Sequence, residues 1–337
     1  MTPSSAYFPN MRPARAVTQD LVCTVAIDAE EDFDWDRPVI GTPHSTSCMR
    51  HIPELQAILQ AYRIRPTYLL TFPILENEEV LRILRRYDER GECDLGIQLH
   101  PWVTPPFGSE TSSSAHSYSG NLAPALEAMK LVTLSRRFAD AFGRPPRIYR
   151  AGRYGMGEHT AAALAEIGIT IDTSLAPRTD FSPEGGPDYT GFDYRPFWFG
   201  NGTRILELPL CRDIVGWGGS LAPPLYRALT SGSLLRTRLS SVMTRSRFAE
   251  RITLSPEGND LPAMIRLVRG LVANGRHVLV LSFHSSSLEP GRNPYVREKR
   301  DLHEFYDRLS GILDFVSRLT PMRFASLTEI ATLMEPP

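Results

Sequence analysis

Short apolar runs alternate with stretches of helical periodicity along most of this chain. Leu21–Ile27 (LVCTVAI) is β-branched and almost wholly apolar, the pattern of a strand buried on both faces. Residues 45–62 carry Ile52, Leu55, Ile58 and Leu59 at helical spacing, and Thr67–Phe72 (TYLLTF) is the next strand. Val80, Leu81, Ile83 and Leu84 give a second helix its apolar stripe, with Gly91 as its stop. Asp94–His100 reads as a third strand, and a long helix over 122–142 ends at Gly143. Arg147–Ala151, an Ala-rich helix at 158–167 and a strand at Ile169–Asp172 follow. This β-α-β-α order predicts a parallel sheet with helical crossovers, an α/β fold of barrel type.

The pattern weakens at both ends of this region. Residues 1–20 are rich in Pro, Ser, Ala and Arg without periodicity, and read as a flexible leader. From 177 to 250 the chain reads as an irregular insertion. It holds a possible strand at Arg204–Leu210, helices within 216–250, and an aromatic group of Phe192, Tyr194, Phe197, Trp198 and Phe199. Regularity returns with a helix at 259–274, the strand Val278–Phe283, a helix at 299–318 and a last strand and helix before Pro336. One domain over 21–335 is the preferred division; two domains parting near 180–250 are the alternative.

Composition narrows the class further. With 337 residues, 42% hydrophobic and 22% charged, the chain can bury a sizeable core. A formal charge of −1 gives no global attraction to nucleic acid or anionic membrane. No stretch approaches the roughly 18 apolar residues of a membrane span, and the N-terminus lacks a signal-peptide pattern. Cys23, Cys48, Cys93 and Cys211 are scattered, which argues against a disulfide framework or a cysteine-based zinc site. A cytoplasmic protein is expected.

Chemistry gathers where the apolar runs stop. Asp28 and Glu30 follow one strand, and Gln98 and His100 end another, each pair at i and i+2 and so on one side of a sheet. His284 closes the most apolar strand, and Arg150, Arg153 and Tyr154 surround Gly152. Asp172 ends the following strand, where it would orient an imidazole or an arginine. Charges fed directly by a buried strand need a metal or a cationic partner. Glu31, Asp32 and Asp34 read equally well as a solvated acidic loop. Carboxylate and imidazole with open positions suit Zn²⁺, with Mn²⁺, Co²⁺ or Ni²⁺ as alternatives, and predict a metal-assisted hydrolase. No G-x-S-x-G elbow, phosphate loop or H-E-x-x-H helix supports a competing chemistry.

Five ordered segments carry a family resemblance: AIDAEEDFDW (26–35), LGIQLHPWVTPPF (95–107), YRAGRYG (149–155), IDTSL (171–175) and LSFHSSSLEPGRNPYV (281–296). Together they resemble the polysaccharide deacetylases with a NodB homology domain, carbohydrate esterase family 4, and within them the intracellular WalW-type branch. The resemblance implies a distorted (β/α) barrel that hydrolyses an N- or O-acetyl group on a saccharide. It implies Asp28 as general base, Glu30 and His100 as metal ligands with Gln98 in the remaining place, and Arg150 steadying the base. His284 would then be the general acid and Asp172 its orienting partner. Trp35, Trp102, Arg153 and Tyr154, with the aromatic group at 192–199, are the candidate sugar contacts. Two departures stand out: the opening motif is not T-F-D-D-G, and Gln98 replaces a histidine. The split of roles between Asp28 and Glu30 stays open, as do a catalytically impaired, glycan-binding barrel and a hydrolase of small non-sugar amides.

Overall fold

The computed structural model describes residues 4–33, 44–108, 115–202, 204–218, 225–226 and 248–335. Its strands are β1 (Arg12–Pro13), β2 (Leu21–Ala29), β3 (Thr67–Leu70), β4 (Asp94–Leu99), β5 (Ile148–Ala151) and β6 (Ile171–Asp172). They continue with β7 (Phe197–Phe199), β8 (Ile205–Glu207), β9 (Arg212–Val215), β10 (Glu250–Thr253), β11 (Val278–His284) and β12 (Met322–Phe324). Ten of these form one sheet in the order β1-β7-β8-β6-β5-β4-β3-β2-β11, with β12 also on β2. All pairings from β8 through β11 are parallel; only β7 and β1, at the edge, run antiparallel.

β2 is the axis of the fold. All nine of its residues are buried. Each of β3, β11 and β12 pairs with it in parallel, as a wholly apolar run with no solvent face permits. The sheet curls because the strip after β8 reaches back toward β11. The Leu254 amide donates to Cys211 O, the Ser282 amide donates to Leu254 O, and the Val280 amide meets Cys211 Sγ. Helices Ile52–Ala61, Glu78–Glu89, Pro124–Phe142, Thr160–Glu166, Leu261–Ala273 and Lys299–Ser317 provide the outer layer. Asn77 starts one by accepting from the Glu79 and Val80 amides, and Gly143 ends another in a left-handed conformation (φ 70°).

The structure departs from the sequence reading at the N-terminus. Residues 4–20 are not loose: Ser4–Tyr7 is helical, and Arg12–Pro13 pairs with Phe197–Trp198. Phe8 is fully buried against Phe192, Phe197 and Phe199, with ring centroids 5.1–5.5 Å apart. One large aromatic side chain anchors the segment, and a single residue has no periodicity to detect. The same contacts make Phe192, Phe197 and Phe199 core residues rather than sugar platforms, and Tyr194 is buried with them. The insertion contributes the β9–β10 hairpin, which no apolar pattern signalled. Most of the helices expected within 216–250 lie outside the described residues.

One buried carboxyl gives a stability prediction. Glu127 faces Thr160, whose hydroxyl donates to it at 2.6 Å, and burial pushes its carboxyl up to about 7. The folded protein therefore binds a proton between roughly pH 4.5 and 7 that the unfolded chain has released, so stability falls as pH rises through that window. Glu127→Gln is expected to flatten this slope and raise Tm at pH 8, by up to about 3 kcal/mol of stability. Thermal melts of both proteins at pH 5 and 8 check it.

Candidate active site

Parallel pairing sets the first contact. β11 lies beside β2 with His284 opposite Asp28, and His284 Nε2 sits 3.5 Å from Asp28 Oδ2. His100 follows the end of β4, and its Nε2 lies 3.5 Å from Glu30 Oε2, just beyond β2. Four residues from three separate stretches of the chain thus meet at the carboxyl ends of parallel strands, where open α/β sheets and barrels place their sites.

Arg150 reaches this point from β5 and is completely buried. Its Nη1 forms an ion pair with Asp28 Oδ1 and donates to Ser282 Oγ at 2.8 Å. Nε and Nη2 donate to the carbonyl and hydroxyl of Thr173 at 3.0 and 3.1 Å. One carboxylate oxygen of Asp28 is therefore held by the guanidinium, and the other is left facing His284. That arrangement holds the carboxylate aimed at the imidazole.

Two acidic residues that sequence reasoning did not single out complete the site. Glu31, read as a residue of a solvated loop, is fully buried. His100 Nδ1 and Trp102 Nε1 meet its Oε1 at 2.8 and 2.9 Å. Burial works to raise the Glu31 carboxyl, but the His100 charge and hydrogen bond hold it below the usual carboxylate range. An ionised carboxylate only accepts, so Nδ1 of His100 carries the proton and Nε2 is turned toward Glu30. Glu257 does the same for His284: its Oε2 lies 2.8 Å from Nδ1, and its Oε1 accepts from the His284 amide at 2.9 Å and from Ser287. Burial works to lower the His284 pKa, yet the charges of Glu257 and Glu30, with the Glu257 hydrogen bond, push it up to about 10. Glu257 stands in a Ser-Pro-Glu-Gly loop after β10 and ends no apolar run, so nothing in the pattern marked it.

The remaining candidates divide. Asp172 is not beside His284; that imidazole position belongs to Glu257. β6 lies across β5, β4, β3 and β2 from β11, and Asp172 is opposite Glu207 on β8. Ser174 Oγ donates to Asp172, and burial pushes its carboxyl up to about 6 and that of Glu207 well above its ordinary value. Arg153 turns away from the centre, toward Ser117 Oγ (2.6 Å), Glu184 and the Tyr118 ring. Arg153 and Tyr154 both have positive φ, 52° and 61°. Two consecutive left-handed residues at a strand end store strain of the kind found at functional sites. Trp102 is buried and stacks on His100 at 4.2 Å, so it supports the imidazole rather than presenting a face to a sugar. Trp35 lies outside the described residues. Lys130 Nζ pins the loop after His100 by donating to the carbonyls of Pro101, Thr104 and Pro106. A Cβ on Gly152 would lie 2.5 Å from His100 Cδ2, so only glycine lets β5 end against that ring.

The donors for a metal ion are few. Among the described residues, no group of three or more His, Cys, Asp and Glu is placed to hold one. Glu30 and His100 converge, and the buried Glu30 Oε1 and Gln98 Oε1 have no hydrogen-bond partner among the described residues. Burial pushes the Glu30 carboxyl up to about 8 against the lowering charges of His284 and His100, as for an acid lacking full compensation. One carboxylate and one imidazole are donors of the kind a divalent ion takes. The Glu31–His100 hydrogen bond is the outer support that ligating histidines commonly have.

Comparison with solved structures follows from this geometry. The chain resembles a protein from Mycobacterium smegmatis provisionally named a polysaccharide deacetylase, at 17% identity and a TM-score of 0.52, over 96% of this chain and 94% of that one. PuuE allantoinase superposes with a TM-score of 0.55 at 12% identity, covering 97% and 92%. A protein from Pseudomonas aeruginosa PAO1, also provisionally named a polysaccharide deacetylase, gives 0.53 at 11%, covering 94% and 90%. The fold is the NodB-type (β/α) barrel. At these identities the likeness is one of fold. No protein-family profile and no curated protein matches the chain.

Proposed function

We propose that this protein is a hydrolase that removes an acetyl group from an N- or O-acetylated saccharide. The carrying observation is the Asp28–His284 pair: 3.5 Å apart, each fixed from behind by its own partner, Arg150 and Glu257. Asp28 Oδ2 takes a proton from the attacking water as the water oxygen bonds to the acyl carbon. His284 Nε2–H gives its proton to the departing sugar nitrogen or oxygen as the acyl bond breaks, and acetate leaves. Arg150 keeps Asp28 oriented throughout, and a backbone amide near Arg153–Tyr154 steadies the oxyanion. Glu30 and His100, with Gln98, would hold a divalent ion, zinc foremost and Mn²⁺, Co²⁺ or Ni²⁺ otherwise; when bound it supplies Lewis-acid polarisation of the acyl carbonyl.

The substrate proposed is a saccharide precursor of a surface polysaccharide, in line with the WalW-type sequence resemblance. A cytoplasmic setting is supported by four buried free cysteines. Among the described residues no helix is long and apolar enough to cross a membrane.

The test is acetate release from N- and O-acetylated saccharides, beside simple amides, with and without each divalent ion. Release that chelation suppresses and added metal restores is expected, with Glu30→Gln and His100→Ala retaining less metal on dialysis. No release from any saccharide under any ion overturns the proposal. The second reading, a glycan-binding barrel without turnover, draws on the sparse donor set; saccharide binding without acetate release or bound metal would favour it.

A further inference from the structure

Arg212 begins β9, directly after the strip that leaves the carboxyl end of β8, and so belongs to the same end of the barrel as Asp28 and His284. Its side chain is aimed by two neutral groups. Nε donates to Thr253 Oγ1 at 2.7 Å and Nη1 to Thr179 Oγ1 at 2.8 Å. Nη2 donates to nothing among the described residues, and no carboxylate there lies within ion-pair distance of this guanidinium. The adjacent acid does not serve it: Asp213 Oδ1 pairs with Arg178 Nε at 3.3 Å. Arg150, which reaches this end from β5, is matched by Asp28.

Arg212 is half-buried, and a guanidinium partly withdrawn from water without a counter-charge gains from an anion that supplies one. Burial lowers the Arg212 pKa, and the like charge of Arg251 lowers it further. Its surroundings tie it to the reaction centre. Tyr154 senses the charges of Asp28, Arg150, Arg212 and Glu257, and Tyr295 those of Glu257 and Arg212. Both tyrosines therefore lie within electrostatic reach of Glu257 and of Arg212. Arginine presents a planar fork that suits two oxygens of one anionic group, and threonine hydroxyls hold that fork without neutralising it.

We propose that Arg212 is an anion-binding subsite beside the reaction centre, taking a carboxylate or phosphate group carried by the acylated saccharide. The inference rests on the hydrolase reading for its substrate class, but not for its test. The anion's oxygens accept from Nη2 and the guanidinium edge, while the acyl group of the same molecule lies at Asp28 and His284. An uncharged saccharide leaves the guanidinium unmatched, so acidic sugars are preferred over neutral ones.

Calorimetric titration of glucuronate, glucose 1-phosphate and glucose into the full-length wild-type protein tests this without turnover. At least one of the two anions is expected to bind about tenfold or more tightly than glucose, and which one does so separates carboxylate from phosphate. Arg212→Gln is expected to lose that preference, and Arg212→Lys, a point charge without the fork, to keep part of it. Should the Gln variant fail to fold, phenylglyoxal labelling of Arg212 in the wild type replaces it; the preferred anion slows labelling and glucose does not. Equal binding of all three ligands, a preference that survives in folded Arg212→Gln, or labelling that the anion leaves unchanged each overturn the subsite. Arg212-dependent anion binding without acetate release would sink the hydrolase alone. Acetate release without anion preference would sink the subsite alone.

Discussion

Asp28→Asn is expected to lower kcat for acetate release by about 10³-fold, within the range for loss of a general base. The amide keeps the shape and still accepts from Arg150, but cannot take the proton of the attacking water. Binding of substrate and metal should stay near wild type, because Glu30, His100 and Gln98 are untouched. Tm should fall, since Arg150 loses the charge that balances it in a fully buried position. The fold should persist, because Thr173 and Ser282 still accept from the guanidinium. Steady-state kinetics, calorimetric binding and a thermal melt on one preparation make the test. A variant that keeps full rate would remove Asp28 from the base role.

The second large effect belongs to Glu257→Gln. Its carboxylate holds His284 through Nδ1, and its charge leads the influences that hold the pKa of His284 up to about 10 against burial. The acid form needed for the leaving group is present below that pKa and lost above it, so the wild-type rate should hold until strongly alkaline pH. Removing the charge lets burial act, and the alkaline limb should move toward the ordinary imidazole range near 6.5. At pH 8 the rate should drop by about 10²-fold, with recovery toward pH 6. A pH–rate profile of both proteins decides it. A uniform loss with an unmoved alkaline limb would make Glu257 a purely structural support.

Much of this molecule could be read before its structure. The almost wholly apolar runs at Leu21–Ile27 and Val278–Phe283 announced strands buried on both faces, and those strands are neighbours in the sheet. Asp28, Glu30, His100 and His284 were legible because each sits where such a run stops, a position that a parallel fold turns into a shared end. Glu31 and Glu257 were not. One sat among acids that resembled a solvated loop, and the other followed a short hairpin strand with no apolar pattern. Phe8 escaped for a related reason: one anchoring ring leaves no period. Asp172 also ends a strand, but sheet order sets it opposite Glu207, where the Arg150 charge rather than the His284 imidazole acts on it.

The sequence by itself determined the alternation of strand and helix, the parallel sheet, and the residues that could meet at its carboxyl end. Periodicity and composition are local, and these consequences follow from local rules repeated along the chain. Only the tertiary structure decided which carboxylate serves which imidazole: Glu31 for His100 and Glu257 for His284. It also decided that Arg212 has no such partner among the described residues. Pairings of this kind depend on strand order, curl and burial across long separations, which no window along the chain contains.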